Sequence, residues 1–121
     1  MYRIAMEKLL KWKQSRYRKP LIIEGARQVG KTWLMKEFGR QSYADIVYIN
    51  FDSNSRMAEL FASDLDTERL IIGLELYAGH KIDPDNSLLI FDEVQEVPRA
   101  LASLKYFCEN APQYHIICAG S

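Results

Sequence analysis

The chain has 121 residues, of which 48% are hydrophobic and 26% charged, and its formal net charge is zero. This size and composition are ordinary for one soluble globular domain over residues 1–121, which excludes a disordered or fibrous protein. Two cysteines exclude a disulfide scaffold, and no apolar run approaches the roughly 20 residues of a membrane span, so a reducing cytoplasm is the expected location.

The apolar pattern predicts five helices and four strands. The predicted helices cover 2–14, 30–38, 56–62, 68–78 and 98–110, and the predicted strands cover 21–24, 46–51, 88–91 and 115–119. Gly39 and Gly79 are predicted to end the second and fourth helices. The last helix is predicted to have Leu101, Leu104 and Cys108 on its inner face. Alternating strands and helices predict an α/β fold in which helices sandwich a parallel sheet. The strand C-terminal ends then share one edge, where ligands bind in such sheets.

Residues 25–32 read Gly-Ala-Arg-Gln-Val-Gly-Lys-Thr and fit the pattern G-x-x-x-x-G-K-[ST] between a predicted strand and helix. The two glycines let the backbone bend so that N–H groups point at a phosphate, and the helix dipole adds to their field. Lys31 should reach the β- and γ-phosphates, and the Thr32 hydroxyl should ligate Mg²⁺. The predicted nucleotide-binding residues are Gly25, Ala26, Arg27, Gln28, Val29, Gly30, Lys31, Thr32 and Trp33.

A second signal is the apolar run 88–91 followed by Asp92 and Glu93. A carboxylate at the end of a buried strand is costly unless a cation or hydrogen-bond donors satisfy it. Mg²⁺ held by Thr32 would be such a cation, so Asp92 is predicted to be its second protein partner. Glu93 is then free to polarise a water molecule for attack on the γ-phosphate, which makes it the predicted catalytic residue.

Together, residues 25–32, residues 88–101 and the final Ala119-Gly120-Ser121 resemble the AAA-type P-loop ATPase domain of a prokaryotic family. Members of that family usually carry a second, C-terminal domain. The resemblance implies an additional-strand sheet, with the fourth strand between the first and the third. It also implies that Ser121 is the polar sensor residue that touches the γ-phosphate or the attacking water, and that the cofactors are ATP and Mg²⁺.

The resemblance further implies elements beyond residue 121: a fifth strand, an arginine finger and often a helical lid. We therefore expect the chain to be the N-terminal part of a P-loop ATPase domain, truncated after the fourth strand, with its first strand left as a sheet edge. Such a piece should bind nucleotide better than it hydrolyses it, since an arginine finger contributes about 10³- to 10⁵-fold in rate. Its expected partners are the C-terminal domain of the parent protein and, in self-association, further copies of the chain.

Other functions remain open besides an ATPase that drives a conformational change. In a P-loop kinase, Asp52 would be the base for an acceptor hydroxyl. In a non-hydrolysing nucleotide switch, the basic and aromatic segment 11–19 would bind nucleic acid, and residues 1–40 do carry a net charge of +8 against −8 for the remainder. A solvated helix end is the favoured interpretation of that segment, and Trp12 and Trp33 are expected to be packing residues.

Overall fold

A computed structural model describes residues 2–24 and 30–120 of the chain. Its helices are α1 (Tyr2–Gln14), α2 (Lys31–Ser42), α3 (Ser55–Leu60), α4 (Thr67–Ala78) and α5 (Pro98–Asn110), and a short 3₁₀ helix covers Val94–Glu96. Its strands are β1 (Leu21–Ile23), β2 (Asp45–Asn50), β3 (Ser87–Asp92) and β4 (His115–Ala119). The predicted α/β fold is confirmed, and each strand lies within one residue of its expected bounds.

The four strands form one parallel sheet in the order β1-β4-β3-β2. The fourth strand therefore lies between the first and the third, as the additional-strand arrangement requires. Ile23 pairs with Ala119 at the end of β1, and Asn50 pairs with Asp92 at the end of β2. Because all strands run the same way, the segments that follow them meet at one edge of the sheet.

Both faces of the sheet are covered, as expected for a parallel sheet whose strands are apolar on both sides. Residues of β3 alternate between two clusters: Leu88 and Ile90 face α1 and α2, whereas Leu89 and Phe91 face α3, α4 and α5. Side chains of α1 and α2 complete the first cluster, and side chains of α3, α4 and α5 complete the second; Cys118 is buried in the second, as predicted.

The prediction that Gly39 ends the second helix is wrong, because α2 continues to Ser42. Gly39 is buried in the helix interior, and a Cβ built on it would lie 2.8 Å from Ile46 Cγ1 and 3.2 Å from Leu88 Cδ2. Glycine is favoured here because the helix backbone packs closely on side chains of β2 and β3. Gly79, in contrast, does end α4 in the left-handed conformation, as predicted.

The prediction for the inner face of α5 is partly wrong. Leu101 is 41% exposed, whereas Ala100, Ser103, Leu104 and Phe107 are buried. Ser103 avoids the cost of a buried hydroxyl because Oγ donates to the Ala100 carbonyl at 2.6 Å. The buried face of α5 packs against the cluster that α3 and α4 also cover.

The basic segment 11–19 is less solvated than expected. Lys13 Nζ donates to the Ser42 carbonyl at 2.5 Å, so this ammonium joins the end of α1 to the end of α2. The Arg18 guanidinium donates to the carbonyls of Lys13 and Pro112 at 3.1 and 3.3 Å. Two of the positive charges in this segment therefore hold α1 against the rest of the fold.

Candidate nucleotide site

The start of α2 has the backbone geometry of an anion-binding helix terminus. Gly30 precedes the helix with a φ of 136°, a conformation that side-chain-bearing residues rarely adopt. Its carbonyl accepts the N–H of Leu34 at 2.7 Å, which closes the first turn, and it has no side chain to cap the remaining N–H groups. The positive end of α2 is thus directed at the sheet edge that should hold a phosphate.

Lys31 connects this helix to the end of β4. Its Nζ donates to the carbonyl of Gly120 at 3.1 Å, although the two residues are 89 positions apart. The Lys31 side chain is half-buried, so its ammonium group is held near the sheet edge rather than extended into solvent. The geometry thus places a positive charge beside the segment that follows β4.

Asp92, the last residue of β3, is the buried acid at this edge, with 5% of its surface exposed. Its Oδ2 accepts hydrogen bonds from Thr32 Oγ1 at 2.5 Å and from the Tyr48 hydroxyl at 2.7 Å. Its Oδ1 accepts the backbone N–H of Glu93 at 3.0 Å. Three donors therefore offset the desolvation of this carboxylate and fix the direction of both oxygens.

Tyr48 remains a hydrogen-bond donor at neutral pH. Burial, followed by the hydrogen bond to Asp92, raises the pKa of Tyr48 above its usual range. The ammonium group of Lys36 lies 4.0 Å from the centre of the Tyr48 ring, a cation–π contact that holds the ring from the α2 side.

Glu93 begins the turn after β3 in a left-handed conformation, with a φ of 52°. Its Oε1 accepts a hydrogen bond from Gln95 Nε2 at 2.8 Å. A Cβ built on Gly120 would lie 2.5 Å from Gln95 Oε1, so the segment after β4 passes close to the same glutamine. Gln95 thus lies between the two strand ends and directs the Glu93 carboxylate.

A comparison with known families decides what kind of domain carries this site. A family model described as an AAA domain matches residues 17–121. The chain belongs to this AAA domain family. The suspected resemblance to an AAA-type P-loop ATPase domain is therefore confirmed, and nucleotide binding is the function that membership indicates. Searches of curated proteins and of solved structures gave no match.

Whether this edge of the AAA domain suits a divalent cation depends on the oxygen donors that the described residues supply. Within residues 2–24 and 30–120, no group of three or more His, Cys, Asp and Glu side chains is arranged to hold a metal. The Thr32 hydroxyl and the Asp92 carboxylate nevertheless supply hard oxygen donors, the kind that Mg²⁺ prefers when phosphates and waters complete its shell. Because Thr32 gives its hydrogen to Asp92, the lone pairs of Oγ1 can face a cation.

The remaining predicted site residues either lie outside the described residues or are described away from Thr32 and Asp92. Gly25, Ala26, Arg27, Gln28, Val29 and Ser121 lie outside the described residues. Asp52 is exposed, and its backbone N–H turns back onto Asn50 Oδ1 at 2.9 Å. Trp33 is 57% exposed in the first turn of α2, so less than half of its surface can be packed against the described residues.

Trp12 is partly buried and packs against the cluster between the sheet and the pair α1 and α2, at 6.3 Å from Phe38 between ring centres. No helix among residues 2–24 and 30–120 has the length and apolar character that crossing a membrane requires.

Sequence reasoning missed Tyr48, Lys36 and Gln95. The one available signal for Tyr48 was a hydroxyl-bearing residue two positions before the end of an otherwise apolar strand. The sequence could not show that Tyr48 contacts Asp92, because this contact depends on β2 pairing with β3. Lys36 and Gln95 carried no signal, since a lysine on a helix and a glutamine in a turn are ordinary surface residues.

Proposed function

We propose that this AAA domain binds Mg-ATP at the edge formed by the ends of β1, β3 and β4, and that the full-length protein hydrolyses ATP to change the conformation of an attached C-terminal domain. The closeness of Thr32 Oγ1 and Asp92 Oδ2, 2.5 Å apart across 60 residues, carries the proposal. This pairing brings together a hydroxyl at the start of α2 and a carboxylate at the end of β3, the two side chains that would hold Mg²⁺.

The binding step assigns a role to each residue at the edge. The N–H groups of 25–30 and the start of α2 would hold the phosphates, and the Lys31 ammonium would pair with the β- and γ-phosphates. Trp33, in the first turn of α2, would border the bound nucleotide. Mg²⁺, held by Thr32 and Asp92, would neutralise charge on the phosphate oxygens.

The hydrolytic step is assigned to Glu93. Its carboxylate would accept a proton from a water molecule while the water oxygen bonds to the γ-phosphorus and the bond to the β–γ bridging oxygen breaks, which yields ADP and phosphate. Ser121 would orient that water or the γ-phosphate. The contact with Gln95 supports this role, because it aims the carboxylate from the turn that also meets Gly120.

Calorimetry with ATP and Mg²⁺ tests the binding step. Lys31→Ala removes charge-assisted hydrogen bonds and should weaken ATP about 10- to 150-fold for each bond lost. Lys105→Ala, a change of the same type at an exposed position of α5, should leave the affinity within twofold. An unchanged affinity in Lys31→Ala would show that the phosphates bind elsewhere.

Phosphate release by the full-length protein tests the hydrolytic step. Glu93→Gln should keep ATP affinity and abolish release, because an amide cannot accept the proton. Glu109→Gln is the matched control, since Glu109 is an exposed acid near the end of α5, away from Gln95. Normal release by Glu93→Gln would assign the base to another carboxylate, with Asp52 the next candidate.

A further inference from the structure

Tyr48 is placed to act on Asp92 from the neighbouring strand. It pairs with Ile90 in the register of β2 and β3, two positions before the Asn50–Asp92 pair at the sheet edge. Its hydroxyl therefore reaches along the face that α2 covers and meets Asp92 Oδ2 at 2.7 Å.

The hydroxyl groups of Thr32 and Tyr48 converge on the same carboxylate oxygen. Rotation of an aspartate carboxylate about the Cβ–Cγ bond costs little energy, so hydrogen bonds decide where its two oxygens point. Glu93 N–H holds Oδ1, while Thr32 and Tyr48 hold Oδ2 from two sides. Tyr48 is therefore a second donor that holds Oδ2 while Thr32, with its hydrogen on the same oxygen, presents its lone pairs to a cation.

Tyr48 can do this because its own position is fixed. The half-buried side chain packs against the cluster between the sheet and the pair α1 and α2. Lys36, one turn after Thr32 on α2, lies over the ring at 4.0 Å. The same helix thus supplies Thr32 to the carboxylate and a cation to the tyrosine that orients it.

We propose that Tyr48 is a positioning residue of the magnesium site, whose hydroxyl holds the Asp92 carboxylate so that Asp92 and Thr32 present their oxygens together to the Mg²⁺ that accompanies a bound nucleotide. This inference rests on the proposed Mg-nucleotide function. It concerns a residue on β2, outside both sequence motifs that predicted the site.

The test compares ADP affinity with excess Mg²⁺ and with EDTA, by calorimetry, in the wild type and in Tyr48→Phe. The ratio of the two affinities measures the contribution of the metal without any turnover. Tyr48→Phe should leave the affinity in EDTA within twofold and lower the gain from Mg²⁺ about 10-fold, the effect of losing one hydrogen bond to a charged group.

Tyr43→Phe is the matched control. Its hydroxyl is bonded to His115 Nδ1 at 2.5 Å, ahead of β2 and away from the edge that holds Asp92, so its removal should not change the gain from Mg²⁺. Lys36→Met, which keeps the Tyr48 hydroxyl but releases its ring, should lower that gain at least twofold, and it replaces Tyr48→Phe if the latter does not fold.

The outcomes separate the two proposals. If the wild type gains no ADP affinity from Mg²⁺, the proposed Mg-nucleotide function fails and this inference fails with it. If the wild type gains affinity and Tyr48→Phe gains as much, the positioning role alone is wrong. An equal loss with Mg²⁺ and with EDTA would also overturn it, because a purely structural defect would weaken both.

Discussion

Gly39 of α2 lies so close to β2 that a Cβ built on it would be 2.8 Å from Ile46 Cγ1. In an open helix interior, replacing glycine by alanine stabilises the folded state by about 1 kcal/mol. Here the added methyl group must displace a packed side chain, an overpacking cost of about 1–3 kcal/mol. We therefore expect Gly39→Ala to lower the free energy of unfolding by about 1 kcal/mol, measured by urea denaturation.

If Gly39→Ala destabilises the protein, the contact with Ile46 outweighs the higher helix propensity of alanine. In an Ile46→Ala background both close atoms of Ile46 are gone, so the cost of Gly39→Ala should shrink or reverse in a double-mutant cycle. A stabilised Gly39→Ala protein would mean that α2 does not lie against the sheet as described.

His115 should make stability depend on pH. It is buried at the start of β4, and burial, with Arg18 and Lys13 nearby, lowers the pKa of His115 to about 4 from the usual 6.5. Between these values the unfolded chain binds the proton and the folded chain does not, so the free energy of unfolding falls as pH falls from 6.5 to 4. The loss should approach about 3 kcal/mol, measured by urea denaturation across this range.

His115→Gln should remove this part of the pH dependence, whatever it does to stability at pH 7. His80→Gln is the control because His80 is exposed after α4, and its profile should match that of the wild type. If His115→Gln and wild type lose stability in parallel between pH 6.5 and 4, the histidine is not the group responsible.

The basic segment provides a test of the nucleic-acid alternative. Lys11, Arg16 and Lys19 are exposed, whereas Lys13 and Arg18 donate hydrogen bonds to backbone carbonyls. We expect Lys11→Glu combined with Arg16→Glu to leave ATP affinity unchanged and to have no effect on DNA or RNA retention in gel-shift assays. A large, salt-sensitive drop in retention would instead favour a nucleic-acid-binding switch.

Much of the fold could be predicted from the sequence because its signals are local. Apolar runs such as 88–91 and 115–119 define buried strands without knowledge of their neighbours, and the strand order followed from the family resemblance. The error at Gly39 has a physical reason. A glycine late in a helical pattern is typical of a helix end, but it also marks close packing, and only the position of Ile46 distinguishes the two.

The candidate site was predictable only where a motif carried the chemistry. Thr32 and Asp92 were expected to meet, and they do. The supporting residues were not predictable, because a hydroxyl on β2 and an amide in the turn after β3 acquire their roles from partners that the sheet brings beside them.

The central place of β4 has a consequence for synthesis on the ribosome. β2 and β3 can pair as soon as both have emerged, but β1 must wait for residues 115–119, its neighbour in the sheet. Until then the nascent chain exposes the sides of β1 and β3 that β4 will join, and such unpaired strands invite aggregation. The proposed nucleotide site at the ends of β1, β3 and β4 can therefore form only after β2 and β3 have emerged and β4 has joined them.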